Sequence, residues 1–112
     1  FHTQLMKPAG EHLAEVMAGM MISSPKIPVV HNVNATVEPD PEKIRTLLVE
    51  QIYSPVQWTA CMRRVIEAGA QHIVECGPGK VLSGLSRRIE KTLHCYSLEE
   101  PEALLTTAAE LK

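Results

Sequence analysis

Long apolar runs, paired cysteines and clustered charge are all missing from this sequence, and each absence removes a class of function. The three cysteines, Cys61, Cys76 and Cys95, are odd in number, far apart and never in a C-x-x-C pair. Neither a disulfide framework nor a zinc site is indicated, and a reducing, cytoplasmic setting fits. No apolar stretch approaches the length of a membrane span, and the first residues have neither the basic start nor the apolar run of a signal peptide, so the chain reads as soluble and unsecreted. Eleven basic residues face 13 acidic ones, the only basic doublets are Arg63-Arg64 and Arg87-Arg88, and aromatics make up only 4%. A nucleic-acid surface concentrates more charge than this, so the doublets read as solvated helix faces. Five histidines occur with no H-x-x-x-H or comparable ligand spacing, which argues against a metal site.

What remains is a small α/β pattern. The hydrophobic content of 45% over 112 residues is ordinary for a globular chain. A chain this short that began in mid-domain would lack partners for some apolar faces. Leu5, Met6, Ala9, Leu13, Val16, Met17 and Met20 recur at helical steps behind a Thr3 N-cap, with Pro8 bending the early turns. The methionines there read as core filler. Ile27-Pro28-Val29-Val30-His31 is expected as a buried parallel strand. Asp40-Pro41 opens a second helix that ends near Gln51 to Pro55, and a third runs from about Val56 to Ala68 and stops at Gly69. Its inward residues are expected to be Trp58, Cys61, Met62, Val65 and Ile66. His72 to Cys76 follows as a strand and Gly77-Pro78-Gly79 as a tight turn. A fourth helix carries the stripe Val81, Leu82, Leu85 and Ile89, Thr92 to Ser97 is a last strand, and Pro101 to Leu111 a closing helix. Strands alternating with helices at this spacing predict parallel strands with crossover connections. The count of three strands and five helices is that of an incomplete sandwich, and the start at Phe1 rather than Met leads us to expect sequence upstream.

Chemistry has few candidates. His12, His72 and His94 lie in regular elements and read as surface or structurally satisfied, whereas His31 closes a predicted strand, where pockets of α/β sheets form. His2 precedes a helix cap in an irregular segment, a position from which an imidazole can act as general base toward a hydroxyl or thiol. No nucleophile accompanies it. There is no G-x-S-x-G elbow, and Ser83 falls inside a predicted helix. Cys76 ends a strand and reads as a buried structural thiol, since nothing near it in sequence would depress its pKa. Gly77-Pro78-Gly79-Lys80 lacks the earlier glycine of a P-loop. It reads as a structural turn, with anion binding at the helix N-terminus as the alternative.

Three segments together resemble one family, the malonyl-CoA:acyl carrier protein transacylases and related acyltransferase domains. Phe1-His2-Thr3-Gln4-Leu5-Met6 is similar to its catalytic-histidine motif, and Gln51-Ile52-Tyr53-Ser54-Pro55-Val56-Gln57-Trp58 to the signature that follows. Glu75-Cys76-Gly77-Pro78-Gly79-Lys80-Val81-Leu82-Ser83-Gly84-Leu85 is similar to its late strand–turn–helix. The order and spacing fit over essentially the whole chain.

The resemblance implies that residues 1–112 form the C-terminal portion of a hydrolase-like parallel-sheet subdomain, with the family's ferredoxin-like subdomain outside this chain. It also implies transfer of a malonyl group from malonyl-CoA to the pantetheine thiol of acyl carrier protein, through an acyl ester on an upstream serine, in fatty-acid synthesis. His2 would be the catalytic histidine and the backbone carbonyl of Gln51 its orienting partner, as a carboxylate is in other triads. Asn32 receives no role. Malonyl-CoA, acyl carrier protein and the remainder of the same enzyme are the implied partners, with no cofactor, metal, nucleic acid or membrane. The isolated chain, a base without its nucleophile, is expected to be inactive. The alternative is a non-catalytic α/β binding or scaffold module in which His2 is incidental.

Overall fold

A computed structural model describes residues 1–112. By its internal contacts the chain forms two units, residues 1–64 and 65–112.

The first unit is helical. A single 3₁₀ turn at Gln4–Met6 leads into α1 (Lys7–Ala18); α2 spans Pro41–Glu50 and α3 Trp58–Glu67, the last carrying the chain out of this unit. The Thr3 hydroxyl makes no capping bond; its main-chain oxygen accepts from Met6 N instead, at 2.9 Å. Pro8 occupies the first turn of α1, where its missing N–H has no helical acceptor to lose. The predicted stripe is also displaced. Gly10 and Met17 are buried and Met6 and Leu13 half-buried, while Leu5 is 90% exposed and Val16 and Met20 lie outside. The 3₁₀ turn winds more tightly than an α-helix and shifts the phase of what precedes α1.

α1 packs on α2. Asp40 caps α2, its carboxylate accepting from Glu42 N at 3.1 Å, with Pro41 at the first helical position and Ile44 buried beneath. Arg45, from the second turn of α2, donates to the main-chain oxygens of Met17 and Met20, closing the C-terminal end of α1 with a positive charge. On α3, Cys61 and Met62 are buried, and Trp58, Val65 and Ile66 half-buried, the face expected from the spacing.

The predicted strand at 27–31 is not one. Its single ladder contact is an antiparallel bridge from Val30 to Val37, closed by the turn in which His31 N donates to Thr36 O, and Ile27 is 77% exposed. A β-branched run becomes a strand only where another strand meets its N–H and C=O groups, and this unit supplies none.

The second unit is a parallel βαβ. β1 (His72–Glu75) pairs with β2 (His94–Ser97) in the register His72↔His94 to Glu75↔Ser97, with α4 (Val81–Ile89) as the crossover and α5 (Pro101–Glu110) following. Gly69, at φ +99°, ends α3 in the left-handed conformation that glycine adopts without strain. The inner face of α4 differs from the predicted stripe. Ser83 and Ser86 are buried and Leu85 and Ile89 half-buried, whereas Val81 is 72% exposed and Leu82 also lies outside. The cause is Glu75. Its carboxylate accepts from Ser83 N (2.9 Å), Ser83 Oγ (2.8 Å) and Leu82 N (3.3 Å), which turns the serine side of the helix inward.

Candidate active site

Residues 51–53 form the turn that follows α2. Their N–H groups still bond backward, Gln51 to Leu47 O at 3.1 Å, Ile52 to Val49 O at 3.2 Å and Tyr53 to Glu50 O at 3.2 Å. Ser54 and Pro55 then stop the helix, so the carbonyls of 51–53 receive no helical donor. The start of the chain supplies the missing donors. His2 Nδ1 lies 2.7 Å from Gln51 O, His2 N donates to Ile52 O at 3.0 Å, and Gln4 Nε2 donates to Tyr53 O at 3.3 Å.

This arrangement assigns the tautomer. A carbonyl oxygen only accepts, so Nδ1 carries the proton, and the lone pair of the neutral ring sits on Nε2 of this exposed side chain. Holding the ring there requires an uncommon backbone: His2 has φ +60°, in the left-handed region. Strain of this kind persists where surrounding contacts over-determine it. Here the Nδ1 and main-chain N bonds to consecutive carbonyls do so.

The side chain of Gln51 points elsewhere, its Oε1 accepting from Asn32 Nδ2 at 3.1 Å. Asn32 O in turn accepts from Gln57 N at 2.8 Å. Nothing in the sequence assigns Asn32 a role or signals the carbonyls of Ile52 and Tyr53, because main-chain acceptors leave no mark in residue type. The turn-forming Ser54-Pro55 pair was the only available hint.

The remaining candidates lie apart from this chemistry. His31 is 8% exposed with its Nε2 unpartnered; its main-chain oxygen accepts from Cys61 Sγ at 3.4 Å, and burial pushes the Cys61 thiol upward. His12 is exposed on α1, and His72 and His94 stack across the strand pair with ring centroids 5.0 Å apart. Cys76 is exposed rather than buried, since the chain leaves β1 there for the Gly77 turn at φ +143°. Ser83 is buried against Glu75 and is no nucleophile. The anion reading of the 77–80 turn also fails. Two of the first N–H groups of α4, those of Leu82 and Ser83, are already taken by the Glu75 carboxylate, whose pKa is held down first by the Ser83 N–H, then by the Ser83 hydroxyl and Leu82 N–H, against an opposing effect of burial. Both arginine doublets are exposed, as solvated faces should be.

No protein-family model matches the chain. A curated relative, the malonyl CoA-acyl carrier protein transacylase of Salmonella typhimurium, is 48% identical over 103 residues, which is 92% of this chain and 33% of that protein. The chain is homologous to the malonyl CoA-acyl carrier protein transacylases. The matched stretch is a C-terminal part of them, about a third of the length of the curated relatives. Among solved structures, the malonyl-CoA:acyl carrier protein transacylase of Xanthomonas oryzae superposes with a TM-score of 0.87 at 48% identity, covering 95% of this chain and 34% of that one. A second, a malonyl-transacylase in complex with its type II polyketide acyl carrier protein, superposes at 0.86 with 42% identity, covering 94% and 34%. These likenesses agree with a C-terminal part of an α/β fold. No helix is long and apolar enough to cross a membrane.

Proposed function

We propose that this chain supplies the acid–base histidine of a malonyl CoA-acyl carrier protein transacylase, with residues 1–112 forming the C-terminal portion of its α/β subdomain. The observation that carries this reading is the His2 ring, fixed on Gln51 O at 2.7 Å through a left-handed backbone, which puts the lone pair of the neutral ring on Nε2. The names of the relatives and the acyl carrier protein bound in one structural neighbour support the substrate pair. In the reaction, a serine outside this chain loses its Oγ proton to His2 Nε2 as the oxygen attacks the malonyl thioester carbonyl. The C–S bond breaks, and the imidazolium returns the proton to the departing coenzyme A sulfur. The second half reverses these steps. His2 Nε2 takes the proton of the pantetheine thiol, the sulfur attacks the malonyl-serine ester, and the proton returns to the serine oxygen. Gln51 O holds the ring in one tautomer throughout and stabilises the imidazolium. The setting is the cytoplasm, in fatty-acid or polyketide synthesis.

In the full-length enzyme, His2→Ala is expected to lower kcat for malonyl transfer to acyl carrier protein by at least about 100-fold, the range for a positioned acid–base group. A radiolabel transfer assay measures it. Near-normal turnover would sink the reading.

A further inference from the structure

We infer that Asn32 is a positioning residue for His2, acting through the side chain of Gln51; the inference rests on the acid–base reading above. The role proposed for Gln51 uses only its main-chain oxygen, which leaves its side chain without a function. The geometry gives it one. Asn32 Nδ2 donates to Gln51 Oε1 at 3.1 Å while Asn32 O accepts from Gln57 N at 2.8 Å, so one residue grips both ends of the 51–57 segment. That segment carries the carbonyls that hold the His2 ring and its main-chain N–H. Apart from its helical bonds, the hydrogen bonds of its near end go to His2, Gln4 and Asn32.

The anchor is itself held. The turn around Asn32 is closed by His31 N to Thr36 O and Ala35 N to His31 O, both 2.9 Å, and Gln57 O accepts from Cys61 N at 2.9 Å in the first turn of α3. Asn32 and Gln51 are both half-buried, so water competes only in part for their amides. A carbonyl that orients a catalytic ring must be placed to a fraction of an ångström, because small misplacements cost rate far more than they cost binding. Without the Asn32 amide, Gln51 can turn about its own backbone and carry its carbonyl with it. The expected signature is a fall in kcat with an unchanged KM for malonyl-CoA, since Asn32 touches the ring's support rather than the substrate.

The test is a double-mutant cycle in the full-length enzyme, read by steady-state malonyl transfer, with thermal melting to verify folding. Asn32→Ala is expected to lower kcat about fivefold, the worth of one net hydrogen bond, and to leave KM within about twofold. Gln51→Met, which keeps the main-chain carbonyl but removes Oε1, should give the same loss, and the double variant should be no worse than either single. Asn32→Asp should rescue kcat, because the Gln51 amide can turn its NH₂ toward the carboxylate. If Asn32→Ala does not fold, Gln51→Met and Asn32→Asp decide the matter between them. Losses that multiply in the double variant, an unaffected kcat in Gln51→Met, or a raised KM in Asn32→Ala overturn the positioning role while leaving His2 as the base. Near-normal turnover of His2→Ala overturns both.

Discussion

If the φ of +60° at His2 is tolerated for the sake of the imidazole, removing the imidazole should expose its cost. The informative pair is His2→Gly and His2→Ala in the full-length enzyme. Both lack the ring and its bond to Gln51 O, so they differ only in the backbone. An L-residue in the left-handed region costs roughly 1–2 kcal/mol, because its Cβ crowds the following carbonyl oxygen. Glycine escapes this but loses more backbone freedom on folding, by roughly 0.5–1 kcal/mol. The balance favours the glycine variant by about 1 kcal/mol. In urea, with an m-value of about 3 kcal/mol/M, that places the His2→Gly midpoint about 0.3 M above that of His2→Ala. Malonyl transfer should be lost equally in both. A midpoint for His2→Gly at or below that of His2→Ala would refute the strain argument, and turnover restored by glycine would refute the role of the ring.

The Glu75 carboxylate makes stability acid-sensitive. Its folded pKa lies below the ordinary glutamate value, so the stabilisation is complete above that ordinary value and is lost as pH falls through the lowered one. Glu75→Gln should therefore be less stable than wild type at neutral pH, with the difference shrinking across the acid range in urea titrations; a pH-independent difference would contradict the capping account. Cys61, buried and with its thiol pushed up by desolvation, should resist iodoacetamide in the native protein and react on unfolding, as read by intact mass. Labelling as fast in the native as in the denatured state would show that the thiol is not enclosed.

Elements that complete themselves locally were legible in the sequence. Asp40-Pro41 states a helix start in residue types, the turn at Gly69 needs φ +99°, and β1 and β2 lie a crossover apart, so each is expected, the strands with one or two residues more than they have. Elements whose state depends on a distant partner were not. Ile27 to His31 has strand composition, but composition does not provide the neighbouring strand, and the segment forms one bridge. The inner face of α4 departs from its apolar spacing for a related reason. Apolar spacing put Val81 and Leu82 inward, yet a carboxylate on β1 bonds to Ser83 and sets the rotation of the helix. A buried anion satisfied by a hydroxyl and main-chain N–H groups outweighs the burial of an aliphatic side chain, because leaving it unpaired costs more. Cys76 reads from the sequence as a buried structural thiol, because no sequence neighbour would depress its pKa, yet it lies outside, because β1 has already ended.

The site itself shows why a motif can be specific when its chemistry is anonymous. The acceptors for His2 and Gln4 are main-chain oxygens of residues 51–53, which any side chain could carry. What the sequence must supply is a turn that leaves those oxygens free and in register, and Ser54-Pro55 does that by stopping the helix. Gln51 would then be replaceable by any residue compatible with the turn, were it not that its amide meets Asn32. Side-chain identity at 51 thus has a physical cause separate from the carbonyl that faces the ring. The two causes make different demands on a variant: a residue that keeps the turn but loses the amide should preserve the fold around His2 and still impair the rate. The Gln51→Met variant has that combination, which is why it separates a residue that holds the segment together from one that aims the imidazole.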